Sequence, residues 1–106
     1  MVLPVDAVDW FESDGNYVRL HTRSTLVRGT PMVRETLAAL AAALDPRRFA
    51  RVHRSAVVRL DAVRTLEPLF HGEQAVVLHD GTRLTLGRTW RAEFEARLEG
   101  RGLRGR

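Results

Sequence analysis

The sequence predicts a mainly β domain in which short strands pair largely antiparallel, together with one mid-chain helix and a short C-terminal helix. Segments rich in β-forming residues recur along the chain and are separated by turn signals such as Gly15-Asn16 and Asp80-Gly81. Two segments instead space their apolar residues at the helical repeat of three and four positions. At 106 residues, the chain is long enough for one domain with a modest core.

The composition excludes several classes of protein. Cysteine is absent, so the chain forms neither a disulfide framework nor a thiolate metal site. No apolar run approaches the roughly 20 residues that cross a bilayer, and no signal peptide is visible at Met1. We therefore expect a soluble, cytoplasmic domain without membrane contact.

The chain is basic, and every basic residue is arginine. It carries 17 basic and 13 acidic residues, a net charge of +4. The planar fork of arginine suits bidentate contact with phosphate or guanine, which favours a nucleic-acid partner. A GC-rich genome would also encode arginine wherever a solvated cation suffices, so the charge by itself leaves the partner open.

The N-terminal part favours a hairpin and a further strand. Residues 5–12 form a short apolar segment with several β-formers. Gly15-Asn16 follows as a turn signal, because both residues tolerate positive φ. Residues 17–22 then alternate between two faces, and residues 25–28 are predicted to continue the sheet as another short strand.

A mid-chain helix is predicted from Thr30-Pro31 to Leu44. Threonine can cap free amides, and proline at the first helical position loses no hydrogen bond. Asp45-Pro46 ends the helix. The polar face is thin, with Arg34 and Glu35 as its main charges, and it is not interpreted as a partner site. Apolar residues at spacings of four, three and four form the buried face: Val33, Leu37, Leu40 and Leu44.

The stretch at residues 49–60, FARVHRSAVVRL, places three arginines and a histidine between apolar positions. Alternate side chains of an extended chain point to opposite faces, so Val52 and Val57 can enter a core while charged neighbours stay outside. That alternation is interrupted by His-Arg-Ser at residues 53–55. The break predicts a turn or strand end that presents polar tips to a partner, and these tips suit a polyanion.

The C-terminal third predicts a second set of strands. Residues 62–70 form a strand that Pro68 confines to an edge or a bend, because proline donates no ladder hydrogen bond. A turn follows at residues 71–73. Strands at residues 75–78 and 83–86 flank a strong hairpin signal, Asp-Gly.

The chain ends in a helix and a tail. Trp90, Phe94 and Leu98 stand four positions apart, which predicts a helix over residues 89–99 with one buried face. Residues 100–106 are rich in Gly and Arg, and we expect them to be disordered. The aromatic residues are most simply core residues, rather than a platform on which single-stranded bases stack.

Enzyme and metal sites are not indicated. The chain has no G-x-S-x-G elbow, no phosphate-cradling glycine loop, no H-E-x-x-H and no cysteine nucleophile. Glu93 and Glu95 stand two positions apart on the predicted helix and so face different directions. The four histidines lack the tight spacing of metal ligands. We expect neither catalysis nor a cofactor.

Three segments, in this order, resemble the LytTR DNA-binding domain, the output module of many bacterial response regulators. They are VDWFESDGNYVRLHT, the helix end followed by DPRRFARVHRSAVVRLDAV, and HDGTRLTLGRTWRAEF. The resemblance runs from residue 5 to residue 98, and we assign residues 1–99 to the domain. It implies an elongated array of short antiparallel sheets that binds double-stranded DNA at promoter repeats, with loops that enter neighbouring major grooves on one side of the duplex.

The resemblance places base-contacting positions at or beside Asn16, Arg54 and Arg88, which all lie in predicted turns or strand ends. Arginine can place two donors on guanine O6 and N7, and asparagine can pair with adenine N6 and N7, each worth roughly 1 to 3 kcal/mol of discrimination. Without the resemblance, these residues would be an ordinary turn residue and two solvated arginines. The residues expected to contact or flank the DNA backbone are Arg51, His53, Ser55, Arg59, Thr85, Thr89 and Arg91.

Two positions depart from the family pattern. Arg59 stands where asparagine is usual, and it is expected either to disturb a local turn or to add a phosphate contact. Gly87 stands where serine is common. This change removes a hydroxyl and loosens the backbone that aims Arg88.

Three functions remain open: sequence-specific duplex DNA binding, which the resemblance favours, RNA or single-strand binding, and a β-rich protein-interaction module with incidental charge. On promoter repeats, a homodimer is a further expectation. A typical family member also carries a receiver or another signalling domain. This chain shows neither and has no candidate phospho-acceptor aspartate, so we expect an excised C-terminal domain or a stand-alone regulator.

Overall fold

Eight strands in two antiparallel sheets dominate residues 5–23 and 29–100, the part of the chain that the structure, a computed structural model, describes. The strands are β1 (Val8–Asp14), β2 (Tyr17–Thr22), β3 (Met32–Val33), β4 (Phe49–His53), β5 (Ala56–Arg59), β6 (Val63–Pro68), β7 (Gln74–Leu78) and β8 (Arg83–Leu86). The helices are α1 (Leu37–Ala43) and α2 (Arg88–Gly100). The predicted mainly β class is confirmed, and the domain is moderately elongated at 39 × 26 × 24 Å.

The larger sheet is covered on both faces. Its strand order is β3-β2-β1-β5-β4, and the smaller sheet has the order β6-β7-β8. Successive side chains of a strand point to opposite faces. Val57 of β5 is therefore buried in the core that includes α1, while Val58 is buried in the core that includes the smaller sheet and α2. β5 thus contributes to both hydrophobic cores.

The first hairpin forms as predicted. Asp14 pairs with Tyr17, which leaves a two-residue turn. Gly15 adopts a φ of 61°, a left-handed conformation that glycine accepts without strain. The first strand starts later than predicted, because Val5–Ala7 forms a 3-10 turn before β1. The strand predicted at residues 25–28 lies outside the described residues.

The predicted helix start at Thr30-Pro31 is wrong. The chain there runs into β3, which pairs antiparallel with β2, and α1 begins after Thr36. Thr36 caps the helix, because its Oγ1 accepts a hydrogen bond from the Ala39 amide at 3.1 Å. Val33, assigned to the apolar helix face, instead pairs with Val18 across the sheet. Val33 is β-branched and therefore suits a strand, although its spacing from Leu37 matches the apolar repeat of a helix.

Residues 49–60 contain the second hairpin, β4 and β5. His53 pairs with Ala56, so Arg54 and Ser55 form the turn between the strands. The register shifts between Arg51 and His53, an irregularity of the kind that re-aims side chains at a strand end. The predicted break in alternation is confirmed as a turn that connects two largely buried strands.

The smaller sheet follows the predicted strands closely. Pro68 lies on β6, an edge strand, where a residue without an amide donor is tolerated. In the turn between β7 and β8, the Thr82 amide donates to Asp80 Oδ1 at 2.9 Å, and this hydrogen bond lowers the pKa of Asp80. Phe70–Gly72 forms a 3-10 turn between β6 and β7, in which His71 takes a left-handed φ of 63°.

Helix α2 extends the predicted C-terminal helix by one residue at each end. Phe94 and Leu98 are buried as predicted, whereas Trp90 is only partly buried. Gly100 was expected in the tail but is the last residue of the helix, and residues 101–106 lie outside the described residues. Neither described helix is long and apolar enough to span a bilayer.

Arg59, which was expected either to disturb a local turn or to contact phosphate, lies in the interior of the domain instead. Its side chain is buried beside Asp9, and Nη2 donates to Asp9 Oδ1 at 2.8 Å. The relative exposures are 6% for Arg59 and 7% for Asp9, so the guanidinium is closed off from a DNA backbone. The pair forms because β1 and β5 are neighbours. Trp10 lies opposite Val58, and the next residues in that antiparallel register are Asp9 and Arg59.

Removal of Asp9 should destabilise the fold strongly. Asp9→Ala leaves a buried guanidinium without its carboxylate, and we expect a loss of about 3–5 kcal/mol in the free energy of unfolding. Urea unfolding followed by tryptophan fluorescence measures this loss. Glu67→Ala is the matched control, because it removes the carboxylate 2.7 Å from exposed Arg83, and it should cost less than about 1 kcal/mol. Equal losses in the two variants would contradict the buried character of the Asp9 pair.

Candidate nucleic-acid interface

Three connecting segments, two hairpin turns and the β8–α2 junction, meet where strands of the larger sheet end. The Ser13 amide, at the end of β1, donates to the Ser55 carbonyl in the β4–β5 turn at 3.0 Å. The Gly87 amide, at the junction of β8 and α2, donates to the Val52 carbonyl of β4 at 2.7 Å. These two bonds hold the β1–β2 turn, the β4–β5 turn and the β8–α2 junction side by side. We name this region the three-turn edge.

Each predicted base-contacting residue lies at the three-turn edge. Asn16 occupies the β1–β2 turn, Arg54 occupies the β4–β5 turn, and Arg88 is the first residue of α2. All three side chains are exposed, and none bonds to another residue of the described structure. The fold therefore brings together three polar tips that are far apart in the sequence.

Two open concavities flank the β4–β5 turn. The first, of about 490 Å³, is lined by Asn16 and Arg54 together with Arg34. The second, of about 350 Å³, is lined by His53 and Arg88. His53, the last residue of β4, lines the second concavity, and Arg54, the first residue of the turn, lines the first. Each of the three predicted readers thus lines one of the two concavities beside this turn.

Most arginines in the described part of the chain already have a partner. Carboxylates lie within ion-pair distance of Arg19, Arg23, Arg47, Arg48, Arg59, Arg83, Arg91 and Arg97. Arg51 bonds to backbone carbonyls. The described arginines without such a partner are Arg34, Arg54, Arg64 and Arg88. Three of these four line the two concavities, so the described arginines without an ion-pair partner are concentrated there, in the company of Glu35 and Glu73.

The β4–β5 turn is held by its own side chains. His53 Nδ1 accepts a hydrogen bond from the Ser55 amide at 3.3 Å and lies 2.9 Å from the Ser55 hydroxyl. An acceptor at Nδ1 requires the proton of the neutral ring on Nε2. Arg51 adds two bonds, from Nε to the His53 carbonyl at 3.1 Å and from Nη2 to the Arg54 carbonyl at 2.6 Å. Arg51 and Ser55, expected to contact the DNA backbone, therefore already bond within this turn.

The other residues expected to contact the DNA backbone differ in whether their side chains already have a hydrogen-bond partner. Thr85 and Thr89 are exposed, and Thr85 lines the second concavity. Arg91 also lines it, but its Nε donates to Glu95 at 3.0 Å and its Nη1 donates to the Gly72 carbonyl at 3.1 Å. Arg91 therefore connects α2 to the loop between β6 and β7.

Sequence reasoning missed Arg34. The predicted helix placed this residue on a thin polar face, but the structure places it in the loop before α1, where it lines the first concavity with Asn16. The signal that could have found it is Thr36, a capping residue directly before the apolar run of the helix. A helix start at that point leaves Arg34 in a loop beside the sheet.

Comparison with protein families identifies the family of this chain. A family model described as the LytTr DNA-binding domain matches residues 1–99. The chain belongs to the LytTr DNA-binding domain family. The resemblance in the sequence is thus confirmed, and the three-turn edge is a candidate surface for the DNA binding that defines the LytTr domain.

This LytTr domain is similar in sequence to segments of two sensory transduction proteins. The chain is 30% identical over 66 residues to the sensory transduction protein LytT of Bacillus subtilis (strain 168), and 28% identical over 72 residues to a protein of the same name from Bacillus anthracis. These matches cover 62% and 68% of this chain but 27% and 29% of the relatives, so the chain spans less than a third of their length.

A solved structure shows the same fold. It is the LytTr DNA-binding domain of a methyl-accepting/DNA response regulator from Bacillus cereus. The TM-score is 0.80, with 92% of this chain and 86% of that chain covered at 18% identity. The arrangement of two sheets and two helices is therefore shared with an experimentally determined LytTr domain.

The bonds between the turns should protect two amides from hydrogen exchange. The Ser13 and Gly87 amides lie near strand ends, but their exchange requires separation of neighbouring turns. We expect them to exchange at least about tenfold more slowly than the amides of Asn16 and Arg54, which corresponds to about 1.4 kcal/mol of additional opening free energy. Hydrogen–deuterium exchange followed by NMR measures the four rates. Equal protection at all four would show that the turns move independently.

Proposed function

We propose that this LytTr domain binds double-stranded DNA with sequence specificity, as part of a bacterial transcription regulator, and that its turns read the major groove at promoter repeats. One observation supports this most directly. The side chains of Asn16, Arg54 and Arg88 are exposed and bond to no residue of the described structure, and the segments that carry them are hydrogen-bonded to one another. Recognition of base edges from one side of a duplex needs polar side chains held in a fixed relation on one surface.

The three side chains suit the hydrogen-bonding pattern of the major groove. The guanidinium of Arg54 or Arg88 can donate two parallel bonds to O6 and N7 of guanine. The Asn16 amide can pair with N6 and N7 of adenine. Each base pair presents a distinct pattern in this groove, so each such contact can favour one base over the others at its position.

Other exposed groups around the concavities suit phosphate. Arg34 lines the first concavity, Thr85 lines the second, and Thr89 lies in the first turn of α2. Contacts of this kind orient a protein on the duplex and supply the salt-dependent part of the affinity. The net charge of +4 favours the same partner.

RNA or single-strand binding has less support. Recognition of unpaired bases uses aromatic rings exposed on a sheet face or along a groove. Phe11 and Phe94 are buried, and Trp10 stacks on His21 with 3.9 Å between ring centroids. Phe70 is 88% exposed but lies on the loop between β6 and β7, and Tyr17, 43% exposed at the start of β2, is a single ring rather than a stacking platform on the described strands. A role in protein interaction alone would leave the concentration of uncompensated arginine without an explanation.

We place this domain in a longer, cytoplasmic regulator. The relatives include sensory transduction proteins of which the matched segment is less than a third. A receiver or another signalling domain would then control when the LytTr domain reaches DNA. Two domains on direct or imperfect repeats would form a dimer on the DNA, and their joint binding would raise the affinity above that of one domain.

Loss of either arginine reader should reduce specific binding. Arg54→Ala and Arg88→Ala should each weaken binding to an operator selected from a random duplex pool by about 5- to 150-fold, which corresponds to roughly 1–3 kcal/mol. Each should also relax the base preference at one position. Fluorescence anisotropy on operator and random duplexes at one salt concentration measures both effects.

Arg64→Ala is the matched control for these variants. Arg64 is an exposed arginine on β6 without a partner in the described structure, and it lines neither concavity. Its removal should leave operator preference at the wild-type value. If Arg54→Ala and Arg88→Ala weaken operator and random DNA equally, both residues contact the phosphate backbone and the proposed readout is wrong.

Arg34→Ala should lower the salt dependence of binding. A lost phosphate contact reduces the slope of log affinity against log salt by about 0.9, and it weakens operator and random duplexes to a similar degree. Titrations over roughly 50 to 200 mM salt give the slope. Arg64→Ala again serves as the control with an unchanged slope. An unchanged slope in Arg34→Ala would place this residue outside the DNA contact surface.

A further inference from the structure

The side chain of Arg51 donates two hydrogen bonds to the backbone of the β4–β5 turn, which carries Arg54. Its Nε donates to the His53 carbonyl at 3.1 Å, and its Nη2 donates to the Arg54 carbonyl at 2.6 Å. These carbonyls belong to the two peptide units on either side of the Arg54 Cα. Because peptide units are planar, fixing both of them restrains φ and ψ of Arg54. One guanidinium thus sets the direction in which the Arg54 side chain leaves the backbone.

Trp90 in turn holds the Arg51 guanidinium. Arg51 Cζ lies 5.2 Å from the centroid of the Trp90 ring, within the range of cation–π attraction. Trp90 lies in the first turn of α2, two residues after Arg88, and its amide donates to the Gly87 carbonyl at 3.1 Å. Burial lowers the pKa of Arg51 from its ordinary value, although an arginine remains charged at neutral pH.

Gly87 gives the Trp90 ring its space. A Cβ at Gly87 would lie 3.3 Å from Trp90 Cε3 and 3.6 Å from His53 Cδ2. The Trp90 ring, the Gly87 backbone and the His53 ring are therefore close neighbours between the Arg54 turn and the Arg88 junction. A serine at this position would require the ring to shift by a few tenths of an ångström.

We propose that Arg51 and Trp90 are positioning residues that hold the Arg54 turn at a set distance and direction from Arg88. The proposal rests on the proposed reading roles of Arg54 and Arg88 and deepens them. Arg51 acts on base discrimination through Arg54. Trp90 connects the guanidinium of Arg51 to the helical turn that carries Arg88, so the two readers are aligned by a single chain of contacts.

This role needs the geometry of arginine. A guanidinium offers several donors in fixed directions from one plane, so it can bond to two consecutive carbonyls at once, whereas the lysine ammonium is a compact charge on a flexible stem. Holding the turn before DNA arrives reduces the ordering that binding would otherwise impose on Arg54. The competing interpretation is the phosphate contact expected from the sequence, for which charge alone would largely suffice.

Arg51→Lys distinguishes the two interpretations, because it keeps the charge and removes the fork. For a positioning residue, we expect the preference for operator over random duplex to fall by about tenfold, within the range of coupling between contacting residues. The affinity for random duplex and the salt slope should stay at the wild-type values. Arg64→Lys is the matched control and should change neither quantity. A preserved operator preference in Arg51→Lys overturns the proposal.

A double-mutant cycle tests whether Arg51 acts through Arg54. In an Arg54→Ala background, Arg51→Lys should cause no further loss of operator preference, because the side chain that Arg51 orients is absent. Trp90→Leu should lower the preference in the wild-type background in the same way. Circular dichroism and thermal unfolding establish that each variant is folded. An additive loss in the Arg54→Ala background shows that Arg51 acts on its own and overturns the proposal.

A measurement without DNA separates this proposal from the proposed function. In NMR spectra of the wild-type domain, the Arg51 Nε–H resonance should exchange slowly and be shifted by the ring current of Trp90. Trp90→Leu should remove the shift and accelerate the exchange. An unshifted, rapidly exchanging resonance in the wild type overturns the positioning role. A shifted, protected resonance in a domain without operator preference upholds the restraint on the turn and overturns the proposed function instead.

Discussion

Two backbone hydrogen bonds, from the Ser13 amide to the Ser55 carbonyl and from the Gly87 amide to the Val52 carbonyl, determine the geometry on which the interface depends. Each joins the β4–β5 hairpin to a segment from a different part of the chain. A hydrogen bond of this kind contributes only about 0.5–1.5 kcal/mol to stability. Its larger effect is on register, because it sets which residues of neighbouring segments end at the same edge. The free energy that keeps these segments together comes from the two cores that meet at β5.

Arginine has two distinct roles in this domain. Arg59 is buried against Asp9, Arg97 donates to the Phe49 carbonyl, and Arg51 donates to the β4–β5 turn, so these guanidinium groups stabilise the scaffold. Arg34, Arg54 and Arg88, in contrast, have no side-chain partner in the described structure and line the concavities of the three-turn edge. A guanidinium without an internal partner can bind a nucleic acid without breaking an existing bond. Whether an arginine side chain has an internal partner therefore distinguishes the scaffold from the binding surface more sharply than net charge does.

The strand pattern was largely predictable because its signals are local. Gly15 and Gly81 take positive φ in tight turns, and Pro68 is confined to an edge strand, for reasons that depend on single residues. The start of α1 was mispredicted because two signals competed. Thr30-Pro31 resembles a helix start, but pairing of β3 with β2 extends the sheet and leaves Thr36 as the cap. A segment can form a strand only where a neighbouring strand is available to pair with it, and this depends on the whole fold. The apolar spacing within the segment carries no information about that neighbour.

By itself, the sequence determined the β-rich class, the positions of the turns and the family, and through the family the three candidate readers Asn16, Arg54 and Arg88. It did not determine which arginines remain available to a partner. Arg59 is sealed in an ion pair, Arg51 is turned onto the backbone, and Arg34 is exposed beside Asn16, although all three are equally charged in the sequence. Only the tertiary structure decided this, because burial and hydrogen bonding of a long side chain depend on segments that are distant along the chain and adjacent in space.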